Sequence, residues 1–341
     1  MRKNAIEVIR DIIQEDVGQR GLRTDPSNNF VTAWPQDFQG ACYSLAVRRN
    51  AAVGIVTGFY IPHAQPPCGE TDGPLGALFL ARALVPLGIR VALLTDHFCV
   101  QALACGLEAC ELDQNVLLCP LPPANEWETF LNVGWINFVR DFRLTHLIAV
   151  ERAGPSHTRE SVQSQLTATG ETVNLFEEEV PSEHRDRCHT MRGLDITANM
   201  SPAHLLFEHL HRRMPTVTTI GVGDGGNEIG MGKIPWNFVR RNIRGGALVA
   251  CRIATDYLIV CGVSNWGAYG LATGVRLLRA EPHDADLYDL ERERDLLRIM
   301  VEGGPLVDGV SGKPSVTVDG LSFDSYAAPL RRMGELSAAT W

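Results

Sequence analysis

The chain has 341 residues, 45% of them hydrophobic and 21% charged, enough to bury one large core or two smaller ones. A net charge of -9 and a pI near 5.6 argue against a nucleic-acid or anionic-membrane partner, either of which needs a basic face. No apolar run reaches the length that spans a bilayer.

In chain order, Ile6, Ile9, Ile12, Ile13 and Val17 fall on one stripe and predict an amphipathic helix over about 4–20. The acids in that stretch, Glu7, Asp11, Glu15 and Asp16, fit neither a secretory signal nor a transit peptide. Nine scattered cysteines without a CxxC pair read as reduced core residues, so the expected compartment is the cytoplasm.

Short apolar runs then alternate with helical patterns. AAVGIVTGFYI, RVALLT, NVLLCPL and THLIAVE predict strands, with helices over GPLGALFLARALVPLG, DHFCVQALACGLEAC and NEWETFLNVGWINFVRDF between them. That alternation predicts an α/β fold, a mostly parallel sheet flanked by helices in three Rossmann-like layers with elaborations. Residues 155–187 are polar and read as an excursion from the sheet. SPAHLLFEHLHRRM then predicts a helix, TVTTIGVG and TDYLIVCGV strands, a further helix from about Trp266, and the tail is rich in turns. With no repeat or low-complexity linker, a single domain over 1–341 is expected. Homo-oligomerisation is left open.

The stretch IGVGDGGNEIGMGK follows a predicted strand, and Gly221, Gly223 and Gly226 satisfy G-x-G-x-x-G. A dinucleotide loop brings backbone N–H groups to a pyrophosphate, which Asp224 in its centre would repel, so no nicotinamide cofactor is expected. The loop is no Walker motif either, since Gly232-Lys233 precedes Ile234. Glycines 221, 223, 225 and 226 allow close backbone approach, and Asp224 and Glu228 suit a divalent cation or a substrate ammonium. The competing reading is that both acids cap a helix starting here. Asn227 offers an amide, and Lys233 a contact for a substrate carboxylate or phosphate.

PPCGETDGPLGA gives a second acidic loop, with Glu70 and Asp72 before a Gly-Pro helix start, where Asp72 could equally be an N-cap. Loops at the carboxyl edge of a doubly wound sheet meet, so Glu70, Asp72, Asp224 and Glu228 are expected to converge on Mg²⁺ or Mn²⁺. ERAGPS places Arg152 beside an acid, either for a substrate anion or as a surface ion pair. Ser264, Asn265 and Trp266 fall at the same edge as contacts or as a helix cap, and His63 is the candidate for proton transfer.

GFYIP, ETDGPLGA, ERAG, MRGLDIT, GVGDGGNEIGMGK, GVSNWGAYG and DGVSGKPSVTVDGL together resemble the D-glutamate cyclase family, in its C-terminal domain, from about Gly58 to Leu321. In eukaryotes that domain is joined to a second one and is mitochondrial. The resemblance implies a lyase that dehydrates D-glutamate to 5-oxo-D-proline, an acidic amino acid as substrate and a metal-binding α/β fold. Two other readings use the same acidic loops: a metal-dependent hydrolase acting on a small anionic phosphoester, and a non-catalytic sensor of small ligands.

Overall fold

The computed structural model describes residues 2–340. In chain order the strands are β1 (Ala52–Thr57), β2 (Tyr60–Ile61), β3 (Cys68–Glu70), β4 (Arg90–Thr95), β5 (Val116–Pro120), β6 (His146–Val150), β7 (Thr218–Gly223), β8 (Tyr257–Val260), β9 (Leu306–Val307), β10 (Thr317–Val318) and β11 (Leu321–Ser322). Six of them form one sheet in the order β5-β4-β1-β6-β7-β8, and every neighbouring pair is parallel. Ile55 lies between Leu93 on one side and Ile148 on the other, and Ile148 pairs onward with Ile220.

Both faces of the sheet are covered, which is why its strands read as continuous apolar runs. Along β6, Ile148 and Val150 enter one core while Leu147 and Ala149 enter the other. The first core is closed by the helices Arg2–Ile13, Asp37–Val47, Pro74–Leu84, His97–Ala109, Ser264–Leu278, Leu290–Gly303 and Phe323–Ala339. The second is filled by Trp127, Trp135, Phe176, Phe207 and Trp236. This is the expected three-layer α/β fold.

The winding positions the site. From β1 the chain steps outward to β4 and β5, then returns to the far side of β1 and steps outward through β6, β7 and β8. The direction reverses between β1 and β6, and loops leaving those two carboxyl ends diverge to leave a crevice. Over this edge lie a small sheet of order β2-β3-β9 and the β10-β11 hairpin. The hairpin turns at Asp319-Gly320, whose φ values of 55° and 75° are those of a two-residue turn of the mirror-image type that matches strand twist.

Three boundaries differ from the sequence reading. The first helix ends at Ile13, not near 20, and Val17 is 47% exposed, because Asp16 accepts the backbone N–H groups of Arg20, Gly21 and Leu22 and folds 16–22 into a turn. Residues 155–187 do leave the sheet, but they carry the helices Arg159–Gln163 and Gly170–Glu179, the latter burying Val173 and Phe176 in the second core. The turn-rich tail contributes β9, β10 and β11. Among the described residues, no helix is long and apolar enough to cross a membrane.

Candidate active site

No helix begins at the glycine loop after β7; the next one is Trp236–Asn242. Asp224 and Glu228 therefore cap nothing there. Instead the Glu228 carboxylate turns back on its own loop and accepts the N–H groups of Asp224 (3.0 Å), Gly225 (2.6 Å) and Gly226 (2.7 Å). The backbone donors that would greet a phosphate in a dinucleotide loop are occupied by this side chain. Gly226 has φ +101°, and a Cβ at Gly221 would lie 2.5 Å from the Gly230 backbone, so the loop folds over itself only with glycine at both positions. Gly223 and Gly225 lie directly against Glu228, and the Asn227 amide donates to the His189 carbonyl (2.8 Å) while its buried oxygen has no partner.

Asp72 reaches the same place from the loop after β3. Its two oxygens accept the N–H groups of Ser264 (2.9 Å) and Asn265 (2.7 Å), the first residues of the helix Ser264–Leu278. Asn265 returns the favour to the helix that follows Asp72, accepting from Gly73 (2.8 Å) and Gly76 (2.7 Å). Two helix N-termini are thus satisfied across the crevice. The Ser264 hydroxyl donates to Glu151 (2.6 Å), the residue that follows β6.

Like Glu151, two further residues outside the sequence-derived set belong to the constellation. Arg20 donates to Asp224 (2.7 Å) and forms an ion pair with Asp319 at the hairpin tip (2.6 Å). The second oxygens of Asp224 and Asp319 are buried without a hydrogen-bond partner. Asp72, Asp224 and Asp319 offer oxygens within 4.8 Å of one another, and so do Glu151, Asp224 and Glu228. This donor set, all oxygen and with two buried orphans, fits a hard divalent cation or an ammonium. Glu70 stands outside both triads, beside them in the crevice.

Burial drives the Asp224 carboxyl well above its ordinary range; Arg20 pulls it down, while Glu151, Asp319 and Asp72 push it further up. Glu151, Glu70 and Asp72 are likewise raised, first by burial and then by the acids around them. Burial opposes the charge on Arg20 as well, but Asp224 and Asp319 outweigh it and hold the guanidinium above its usual pKa. One fixed cation faces six carboxyl groups, an arrangement that retains protons unless a further positive charge enters.

Above the acids opens a cavity of about 870 Å³, lined by Arg20, His63, Glu70, Glu151, Asn227 and Asp319 with apolar walls from Phe59, Ile61, Leu248 and Val249. Both ring nitrogens of His63 are buried without partners. Two expected substrate contacts lie elsewhere. Arg152 is fully buried, bonded to Asp96 and to the carbonyls of Gly58 (3.0 Å) and Ser201 (2.7 Å), and ties three loops together instead of facing a ligand. Lys233 donates to Asp37 and to the Asp256 carbonyl (2.7 Å) at the amino end of β8, the opposite edge of the sheet.

Fold and site together define an α/β protein of the doubly wound class, with a buried, carboxylate-rich crevice at the reversal of strand order. The chain belongs to the D-glutamate cyclase-like C-terminal family, whose model matches residues 9–334. It is 29% identical to human "D-glutamate cyclase, mitochondrial" over 87% of its own length, and spans 47% of that protein. A solved DNA/pantothenate metabolism flavoprotein from Streptococcus pneumoniae shares 15% identity over 51% of this chain and 67% of its own, with a TM-score of 0.25, too low to support an argument.

Proposed function

We propose that the chain is a lyase that closes D-glutamate to 5-oxo-D-proline in this crevice. The observation that carries the reading is the pair of buried, partnerless oxygens on Asp224 and Asp319, at the carboxyl edge of a family member whose human relative is named for that activity. They are suited to a cation, and glutamate brings an ammonium. A divalent ion such as Mg²⁺ or Mn²⁺, held by Asp72, Asp224 and Asp319 or by Glu151, Asp224 and Glu228, would supply Lewis acidity at the substrate γ-carboxylate.

The reaction sets the tasks for the chain's own side chains. The amine nitrogen must lose two protons and bond to the carbon of the γ-carboxylate, and one oxygen of that carboxylate must leave as water carrying two protons, so the enzyme ends in the protonation state in which it began. A site with one carboxylate to take a proton and one carboxyl to give it does this without external acid or base. Glu70, buried at the cavity wall with a raised pKa, is the candidate for the proton donor to the leaving oxygen. Where Asp224 and Asp319 hold the ion, the ammonium meets His63 or Glu151, either of which accepts its proton; without the ion, Asp224 and Asp319 would face the ammonium themselves. Arg20 keeps the acids together and opposes the charge that grows on the γ-oxygens in the tetrahedral intermediate.

The test is to strip the protein with chelator, resupply Mg²⁺ or Mn²⁺, incubate with D- and L-glutamate and quantify 5-oxoproline by chiral chromatography. Formation of the D product supports the reading. Phosphate release from a phosphoester panel with no consumption of glutamate would replace it with the hydrolase reading.

A further inference from the structure

A cavity whose floor is acidic must still admit a substrate bearing two carboxylates. Among the described residues that line it, fixed positive charge comes from Arg20, Arg192 and Arg244. Arg20 is already matched by Asp224 and Asp319. Arg192 and Arg244 are both exposed at the cavity mouth, and neither belongs to the acid cluster.

Their placement is built, not incidental. Arg192 sits on a closed turn in which Thr190 N–H donates to Leu194 (2.9 Å) and Gly193 N–H to Thr190 (2.8 Å), with Gly193 at φ +77°. Asn227 sews the start of that segment to the glycine loop through the His189 carbonyl (2.8 Å). The guanidinium itself donates to the Val310 carbonyl (2.6 Å), which fixes its reach over the mouth and leaves further N–H groups free. Arg244 follows the helix Trp236–Asn242, whose last residue is buried and bonded to Asn28 (2.8 Å) and Asp25 (2.7 Å). The two turns touch: a Cβ on Gly193 would lie 3.7 Å from Leu248, so the arginines share one rim.

We infer that Arg192 and Arg244 form the anion-recognition end of the cavity, taking the α-carboxylate of an amino dicarboxylate while its amine and γ-carboxylate meet over the acids. For the identity of the substrate, this rests on the cyclase reading above. When the ring closes, nitrogen and the carbon of the γ-carboxylate are held together on the floor, and the α-carboxylate is the one charged group left projecting from it. The α-carbon is also the stereocentre. Fixing its carboxylate at the rim and its nitrogen at the floor selects one hand, so the two arginines set enantiomer preference as well as affinity.

The experiment compares wild type with Arg192→Gln, Arg244→Gln and the double variant, reading D- and L-glutamate kinetics and, by calorimetry, the binding of D-glutamate and of glutarate, which has both carboxylates and no amine. Each single change is expected to raise KM and Kd roughly tenfold and the double change roughly a hundredfold, with kcat affected less. Wild-type binding should weaken with added salt and the double variant should lose most of that dependence, while Arg244→Lys recovers part of the affinity. Melting temperature should hold, since both side chains are exposed. Unchanged binding of both dicarboxylates in the double variant overturns the inference, as does failure of wild type to bind either. Wild type that binds D-glutamate without turning it over, with binding still lost in the double variant, removes the cyclase reading and leaves the anion clamp standing.

Discussion

Asp224 is the residue at which function and stability separate most cleanly. It is fully buried, one oxygen is matched by Arg20 and the other has no partner, so its charge costs the fold more than it contributes. Asp224→Asn keeps the shape and removes the charge. Turnover is expected to fall about 10²-fold or more while the melting temperature holds or rises, because a misplaced acid is removed from the cluster. Parallel loss of both in calorimetry and product assays would mean the residue is only structural. Gly309→Ala makes the complementary test. A Cβ there would stand 1.9 Å from the Glu70 carboxylate, which is the far end of a flexible side chain and can swing away. The fold should tolerate the methyl, with a change within about 1 kcal/mol, while product formation drops; retained turnover would take Glu70 out of the proton relay. At this scale the sequence put Glu70, Asp72, Asp224 and Glu228 at one edge; Asp72 and Asp224 share one triad with Asp319, Asp224 and Glu228 share another with Glu151, and Glu70 belongs to neither. The sequence could not show that Glu228 and Asp72 spend their oxygens on backbone N–H groups, because that depends on where the loops fold. Arg20 lay in a polar stretch where a charge reads as surface, and Asp319 lay in the turn-rich tail, where an acid before glycine is ordinary turn chemistry.

The elements explain how a residue 204 positions away reaches Asp224. Continuing the first helix to residue 20 would have carried Arg20 off along its axis. Asp16 prevents this by accepting three backbone N–H groups, at 2.7, 2.9 and 3.0 Å, and the turn it makes delivers the guanidinium to the crevice. The apolar stripe that predicted the longer helix was sound as far as Ile13; a carboxylate competing for backbone donors overrode it. Asp16→Ala should therefore cost about 1–2 kcal/mol, as the loss of a helix cap does, and should lower turnover by a larger factor than that modest destabilisation implies. Chemical denaturation and single-turnover assays on the same preparation separate the two. If activity follows stability alone, the loop is an ordinary connection and Arg20 finds its place without it. The strands were legible for the opposite reason. Six parallel strands buried on both faces leave an apolar signature that no local competitor erases, whereas β9, β10 and β11 are two residues each, too short to show a period.

For the whole molecule, the acids and the buried histidines make stability depend on pH in opposite senses. Burial holds His146, His157 and His204 down to about 4, 3 and 4, so the folded state refuses protons that the unfolded chain accepts below about 6.5. Their contribution is complete above that pH and is lost as pH falls toward the folded values. Asp72, Asp224, Glu70 and Glu151 are raised, so the folded state keeps protons that the unfolded chain releases above about 4.5. Their contribution is complete at low pH and is lost as pH rises. Between about 4.5 and 6.5 the two trends oppose each other, and above about 6.5, where the histidines no longer change, each acid that still holds its proton costs up to about 1.4 kcal/mol per pH unit until it ionises. In chelator, the melting temperature should therefore be nearly flat at mildly acidic pH and decline above neutrality. A divalent cation that binds the ionised cluster releases those protons, so the stabilisation by Mn²⁺ should grow from pH 6 to pH 8 and the alkaline decline should disappear. Glu151→Gln with Asp224→Asn should abolish both the decline and the metal response. A Mn²⁺ shift of equal size at every pH, or one that survives in the double variant, would place the ion away from these acids and remove the metal from the proposed reaction.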